Sequence, residues 1–335
     1  MFRCFGAFLL FVCVAVPSHA IVIADPLDYS GVVSGSSPIV DSVNLSGVVK
    51  LVLGQEGCTG SLLSDGISIL TAAHCVDSHY GATLPATGTA TFLGPSGTVT
   101  DNIADYFVDP LWNGVSTSGN DLAVLRLATK APSFATEYTL YDGSAPDGPE
   151  VLAGYGLGGT GTTGAVTAFG TLRVGTNEYV TDGSDFGWSD TLLMGQFYDA
   201  STPSSNAFCT CSYNNTCSTP PPPLCSVAPY TATSEVDIAP GDSGGPTFYD
   251  GQIIGVHDLG VCLGTSPTCT EPPAEGTTDN SYFGEMYADV SAADYANWID
   301  LQLTPEPATF GFMALGLAGL ILLRRRAARG ERSEA

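Results

Sequence analysis

From residue 47 the chain lays out short apolar runs, each about the length of a strand and bounded by polar or glycine-bearing turns. Val48–Leu53 is the first, 58–63 the second, and 67–70 follows after the turn Ser64-Asp65-Gly66. Residues 90–93, 106–108 and 122–127 continue the series. A second series occupies 151–156, 170–174, 191–198, 247–249 and 253–257. Strand-sized runs at this spacing predict antiparallel β-structure, closed into a barrel or stacked as a sandwich. The one convincing helical segment in the body is 292–301, where Tyr295, Trp298, Ile299 and Leu301 mark one face. Residues 21–45 show only scattered valines and read as an extended lead. The glycine-rich 157–164 reads as a loop.

Both ends differ from this body. Arg3, the apolar run 5–16 and Ser18-His19-Ala20 read as a secretory signal peptide over residues 1–20, cut after Ala20 by signal peptidase. At the other end, 304–335 holds Pro305-Glu306-Pro307, an apolar run 310–323 and then Arg324-Arg325-Arg326. That run is shorter than the roughly 20 residues of a permanent span, and the arginines behind it hold that end in the cytoplasm. Within the body, about 201–233 carries Cys209, Cys211, Cys217, Cys225 and four consecutive prolines with little strand pattern. It reads as an inserted, disulfide-stapled loop.

Composition narrows the function. The chain has 335 residues, 44% hydrophobic and 13% charged, with 40 glycines and 22 prolines, which favours strands and turns over long helices. Its formal net charge is −24. Of the basic residues only Lys50, Arg126, Lys130 and Arg173 lie in 21–305, so phosphate-led nucleic-acid binding is excluded as a partner class. No D-x-[DN]-x-[DN]-G loop is present, and no metal or cofactor is expected. An even set of cysteines in an exported body points to disulfides. Cys58 and Cys75 flank a strand-turn-strand, and a bridge between them would close that hairpin. Cys262 and Cys269 pair with each other or with the insertion.

Three segments carry candidate chemistry. Gly241-Asp242-Ser243-Gly244-Gly245-Pro246 is a tight loop able to push one hydroxyl forward and aim bare N–H groups beside it. A serine needs a base, and His74 stands in Thr71-Ala72-Ala73-His74-Cys75 at a predicted strand end. Asp121, just before the apolar strand 122–127, is the candidate carboxylate, satisfied there by orienting a histidine. Each alone has an ordinary structural reading as a turn or core residue.

In the order His–Asp–Ser, these motifs resemble the trypsin/chymotrypsin family of serine proteases. Gly154-Tyr155-Gly156-Leu157, Ile254-Gly255-Val256 and Tyr287-Ala288-Asp289-Val290 also resemble that family's later strands. The resemblance covers about 45–303 within a catalytic unit 21–303. It implies an all-β fold of two antiparallel β-barrels with the cleft between them and a short C-terminal helix. It further implies Ser243 as nucleophile, His74 as base, Asp121 as orienting carboxylate, an oxyanion hole from the Gly241 and Ser243 N–H groups, and protein or peptide substrates. The tail is similar to a PEP-CTERM sorting signal, implying a separate hydrophobic sorting helix, handling by an exosortase-type enzyme, and an envelope or extracellular location with transient membrane anchoring.

Departures from the family mark what to look for. Asp242 is expected to pair with a new α-amino group, offered either by Val32-Val33-Ser34-Gly35 or by Ile21-Val22 after signal cleavage, with no tryptic activation step. Asp237 stands where trypsin-like enzymes place the residue that selects basic side chains. Asp258 and Gly260 are its expected companions in the substrate pocket, yet Ala239 replaces a pocket cysteine. His79 and His257 carry no motif and read as surface or loop residues. The competing reading is a non-catalytic interaction protein of the cell surface or matrix that keeps this fold.

Overall fold

The computed structural model describes residues 21–24, 31–36, 38–77, 84–143, 148–197, 234–261, 281 and 285–303. The leader, the insertion 201–233, the tail 304–335, His79, Cys262 and Cys269 lie outside the described residues. The chain opens with β1 (Ile21–Ile23) and a short hairpin, β2 (Ile39–Val40) and β3 (Val43–Asn44). Six strands then close into a barrel: β4 (Val48–Leu53), β5 (Glu56–Leu62), β6 (Ser68–Thr71), β7 (Gly88–Gly94), β8 (Gly97–Val108) and β9 (Ala123–Leu127). Their order around it is β4-β5-β6-β9-β8-β7.

The alternation of β4 explains the barrel interior. Val49, Leu51 and Leu53 are buried in its core with Ile69, Phe92 and Leu125, while Lys50 and Val52 face outward. Burial of an aliphatic or aromatic side chain of this size contributes about 1.5–3 kcal/mol, so the inward set holds the barrel closed. β8 is far longer than the expected 106–108. Its first half pairs with β7 through Thr98, Val99, Thr100, Asp101 and Asn102, mostly polar residues on a wet edge that hydrophobic patterning does not register.

The second half comprises β10 (Glu150–Gly154), β11 (Gly158–Thr160), β12 (Gly164–Ala165), β13 (Arg173–Asn177), β14 (Tyr179–Asp182), β15 (Leu192–Gln196), β16 (Val236–Asp237), β17 (Pro246–Tyr249), β18 (Gln252–Val261) and β19 (Met286–Ser291). Seven of them form one sheet in the order β13-β10-β17-β18-β19-β15-β14. Its two edge strands, β13 and β14, are consecutive in the chain with Glu178 alone between them, so the sheet must curl until its edges meet. The second expected barrel is this curled half-barrel. Among the described residues one α-helix, α1 (Ala296–Gln302), starts later than expected, and its Ile299 is buried. Arg126 of β9 donates through Nη2 to the Gln302 carbonyl at 2.8 Å and ties the helix end to the first barrel. Val48, Leu70 and Val124 from that barrel share one core with Val151, Phe248, Val256 and Ile299, which forms the seam between the halves.

Three expectations are corrected. Residues 21–23 are not a loose lead: β1 is fully buried, parallel to β11 and antiparallel to β16. Three residues are too few to show a period, and both partners are distant in sequence. The 157–164 loop contains β11 and leads into β12. His257 is wholly buried within β18, its Nε2 at 3.2 Å from Thr247 Oγ1, and burial lowers its pKa.

Candidate active site

His74 is placed by the end of β6. The register pairs Thr71 with Ala123, so the residues just past β6 meet those just before β9. Ala72 and Ala73 are buried, and the Ala73 carbonyl accepts from the N–H of Val76 (2.9 Å) and of Asp77 (2.8 Å), turning the chain at His74. The backbone N–H of His74 donates to Asp121 Oδ1 at 2.7 Å, and its Nδ1 bonds Asp121 Oδ2. With Nδ1–H donated to the carboxylate, Nε2 carries the lone pair. Ser116 Oγ also reaches Asp121 Oδ2, at 3.4 Å.

Burial alone would keep His74 neutral, but the Asp121 charge, the hydrogen bond to it and, further off, Glu56 outweigh that and raise its pKa above 6.5. Asp121 shows the reverse balance. Burial favours its protonated form, while His74 and its hydrogen bonds hold the carboxyl below the usual carboxylate range. The pair therefore stabilises imidazolium beside carboxylate once His74 takes up a proton at Nε2.

The Ser243 loop bends at two left-handed residues, Gly241 (φ 98°) and Gly244 (φ 78°). A Cβ at Gly244 would meet Thr71 Oγ1 at 2.0 Å and Ala72 N at 2.7 Å, so the loop packs directly on the turn that carries His74. The N–H groups of Asp242, Gly244 and Gly245 donate to the carbonyls of Ala239, His257 and Asp242. Among the described residues, those of Gly241 and Ser243 donate to none, which leaves them available to a developing oxyanion. Thr59 fixes the loop from the first barrel: its N–H donates to the Ser243 carbonyl at 2.9 Å and its Oγ1 to the Gly241 carbonyl at 2.9 Å. Cys58, the residue before it, is disulfide-bonded to Cys75, the neighbour of His74. Ser243 and His74 are both partly exposed, whereas Asp121 is fully buried.

Asp242 is completely buried. Burial pushes its carboxyl up to about 7, against hydrogen bonds from the N–H groups of Gly156 (2.7 Å) and Ala239 (2.9 Å), the charge of Arg173 and the backbone N–H of Ile21. Of the two candidate N-termini, it is Ile21 that reaches this carboxyl. Val32 is 46% exposed and bridges Arg173.

The three expected pocket residues lie on two strands, Asp237 on β16 and Asp258 and Gly260 on β18. Asp237 is fully buried in β16, accepts from the Ile238 N–H at 2.9 Å and lies in the field of Glu285, Asp242 and Glu235. Asp258 is buried beside Asp121 and His74, with one side-chain atom of each within 4.8 Å of the others. Gly260 lies further along β18, opposite Tyr287. Sequence reasoning did not single out Thr59, Glu285 or the Asp121–Asp258 contact. Each depends on pairings between distant strands that leave no local mark. Among the described residues two groups of side chains could approach a metal: Cys58–Cys75 with His74, whose sulfurs are bonded to each other, and His74–Asp121–Asp258, whose histidine is already bonded to carboxylate.

The Trypsin family model matches residues 32–272. The chain belongs to the trypsin family. A PEP-CTERM protein-sorting motif matches residues 303–326 and suggests a secreted, envelope-associated protein. The trypsin-family body is 28% identical to trypsin alpha of Drosophila erecta over 207 residues, 62% of this chain and 69% of that protein. It is 26% identical to trypsin delta of Drosophila melanogaster over 239 residues, 71% of this chain and 76% of that protein. The solved structure of neuropsin, a serine protease expressed in the limbic system of mouse brain, superposes with a TM-score of 0.51 at 15% identity. That match covers 77% of this chain and 95% of neuropsin and shows a shared fold. Among the described residues no helix is long and apolar enough to cross a membrane.

Proposed function

We propose that this trypsin-family chain is a secreted serine endopeptidase in which Ser243, His74 and Asp121 form the catalytic triad. As Ser243 Oγ attacks a peptide carbonyl, Nε2 of His74 takes the hydroxyl proton, and Asp121 stabilises the imidazolium through Nδ1. The Gly241 and Ser243 N–H groups receive the carbonyl oxygen as it becomes an oxyanion. His74 then returns the proton to the leaving amine, and water repeats the sequence on the acyl-enzyme. The observation that carries this reading is the double hold of Asp121 on His74, through both backbone N–H and Nδ1, beside the Ser243 loop.

In this reading residues 1–20 are the leader, 21–303 the protease and 304–335 a tail read by an exosortase-type enzyme. Cleavage after Ala20 converts the Ile21 N–H into an ammonium facing Asp242, giving that buried carboxyl its cation. Ile21 is held at φ 48°, a costly angle for a β-branched residue, and cutting the preceding peptide bond removes that constraint. Burial pushes the Asp237 carboxyl up, so a basic substrate side chain brought beside it would supply the cation that ionises it.

A fluorophosphonate probe should label the mature wild type at Ser243 and leave Ser243→Ala unlabelled. Failure to label folded wild type would favour the non-catalytic surface role. A peptide library should be cut mainly after Arg or Lys, and cleavage after apolar residues alone would remove Asp237 from the pocket.

A further inference from the structure

Asp258 sits where the pairing of β18 with β19 slips, between His257 opposite Asp289 and Leu259 opposite Ala288. A bulge re-aims the side chain it carries. Here the carboxyl is buried, only 4% exposed, and lies against Asp121, the carboxylate that holds His74. The groups facing it are Asp121 and Ser116 from the segment before β9, His74 from the turn after β6, and Asp289 from β19. Among the described residues neither Lys nor Arg forms an ion pair with it. Two ionised carboxylates are acceptors only, so in that state neither could satisfy the other. A proton between them turns the clash into a hydrogen bond.

We propose that Asp258 is a positioning residue that stays protonated and donates its hydrogen bond to Asp121, so that the two carboxyls present one negative charge to His74. The inference rests on the catalytic reading of His74 and Asp121. Both Asp258 oxygens are buried with no donor reaching them among the described residues, and burial and the Asp121 charge push the carboxyl well above the usual carboxylate range, with a further push from Asp289. As pH rises far enough to ionise Asp258, a second negative charge enters beside Asp121 and the carboxylate loses its donor. The orientation of His74 then loosens, which adds a contribution of Asp258 to the alkaline loss of activity that deprotonation of the Ile21 ammonium already brings.

The test uses the mature protein and two variants. Asp258→Asn keeps an N–H donor and removes the titrating proton, whereas Asp258→Ala removes both. The infrared difference between wild type and Asp258→Asn at neutral pH should contain the carbonyl stretch of a protonated carboxyl. Asp258→Ala should lose about 10- to 100-fold in kcat with little change in KM, the effect of losing one hydrogen bond to a charged group. Asp258→Asn should lose less, and the alkaline limb left in its pH profile should be that of the Ile21 ammonium alone, displaced from the wild-type limb. A difference spectrum without that band, or an unchanged alkaline limb in Asp258→Asn, would overturn the proposal. If Ser243 is never labelled, the catalytic reading fails, and the infrared band still locates the proton independently.

Discussion

The Thr59 N–H donates to the Ser243 carbonyl over 2.9 Å, while the preceding residue, Cys58, is covalently joined to Cys75 beside His74. One strand of the first barrel thus positions the serine loop of the second half and the histidine turn of its own. Replacing Cys58 and Cys75 together by alanine should lower stability by about 2–4 kcal/mol, seen as a fall in Tm. It should also lower kcat more than it raises KM, because the His74 turn loses its anchor.

If His74 is the general base, as proposed, its protonation sets the acid limb of activity. As general base it must be neutral, and its pKa is raised, so activity should appear as pH rises through a midpoint above 6.5. The ion pair's contribution to stability has the opposite sense: it is complete below 6.5 and is lost as pH rises through the folded pKa. Asp121→Asn should move the activity midpoint downward and reduce kcat by about 10⁴-fold. A kcat/KM profile against pH checks both.

Much of the candidate site's geometry was legible in the sequence, because turns this tight require rare local residues. Gly241 and Gly244 occupy left-handed angles, and Ala72 and Ala73 leave room for the turn at His74, so each motif carries its reason within a few positions. Most barrel strands were legible for the same reason, since β4 and β7 alternate visibly. What was hidden depends on partners far along the chain. β1 is too short to show a pattern, and Asp258 is turned toward Asp121 by a bulge that no local signal announces.

The contact of Ile21 with Asp242 predicts where the active chain begins. N-terminal sequencing of active material should read Ile21-Val22-Ile23. Ala20→Leu, which removes the small residue that leader cleavage requires, should leave a precursor with activity reduced by about 100-fold or more, the scale of losing an oxyanion donor. Active material beginning at Val32 after a second cut would refute the assignment.

Buried acids should make the uncleaved chain more stable in mild acid than in mild base. Burial pushes Glu150 up to about 8 and Asp242 up to about 7, and raises Asp237, Asp258 and Asp289. For carboxyls raised on folding, the folded state binds more protons than the unfolded one above about pH 4, so their contribution falls as pH climbs toward 8. His257, whose pKa is lowered, acts in the opposite sense over this range but is one group against these five. Tm should be higher at pH 5 than at pH 8, and Glu150→Gln should flatten that difference. Calorimetric scans at the two pH values decide it.

The most direct measurement is peptide hydrolysis by the mature protein compared with Ser243→Ala at equal folded concentration. A working triad predicts a loss on the order of 10⁶-fold in kcat for the variant. Equal turnover by the two proteins, or none by folded wild type, would contradict it.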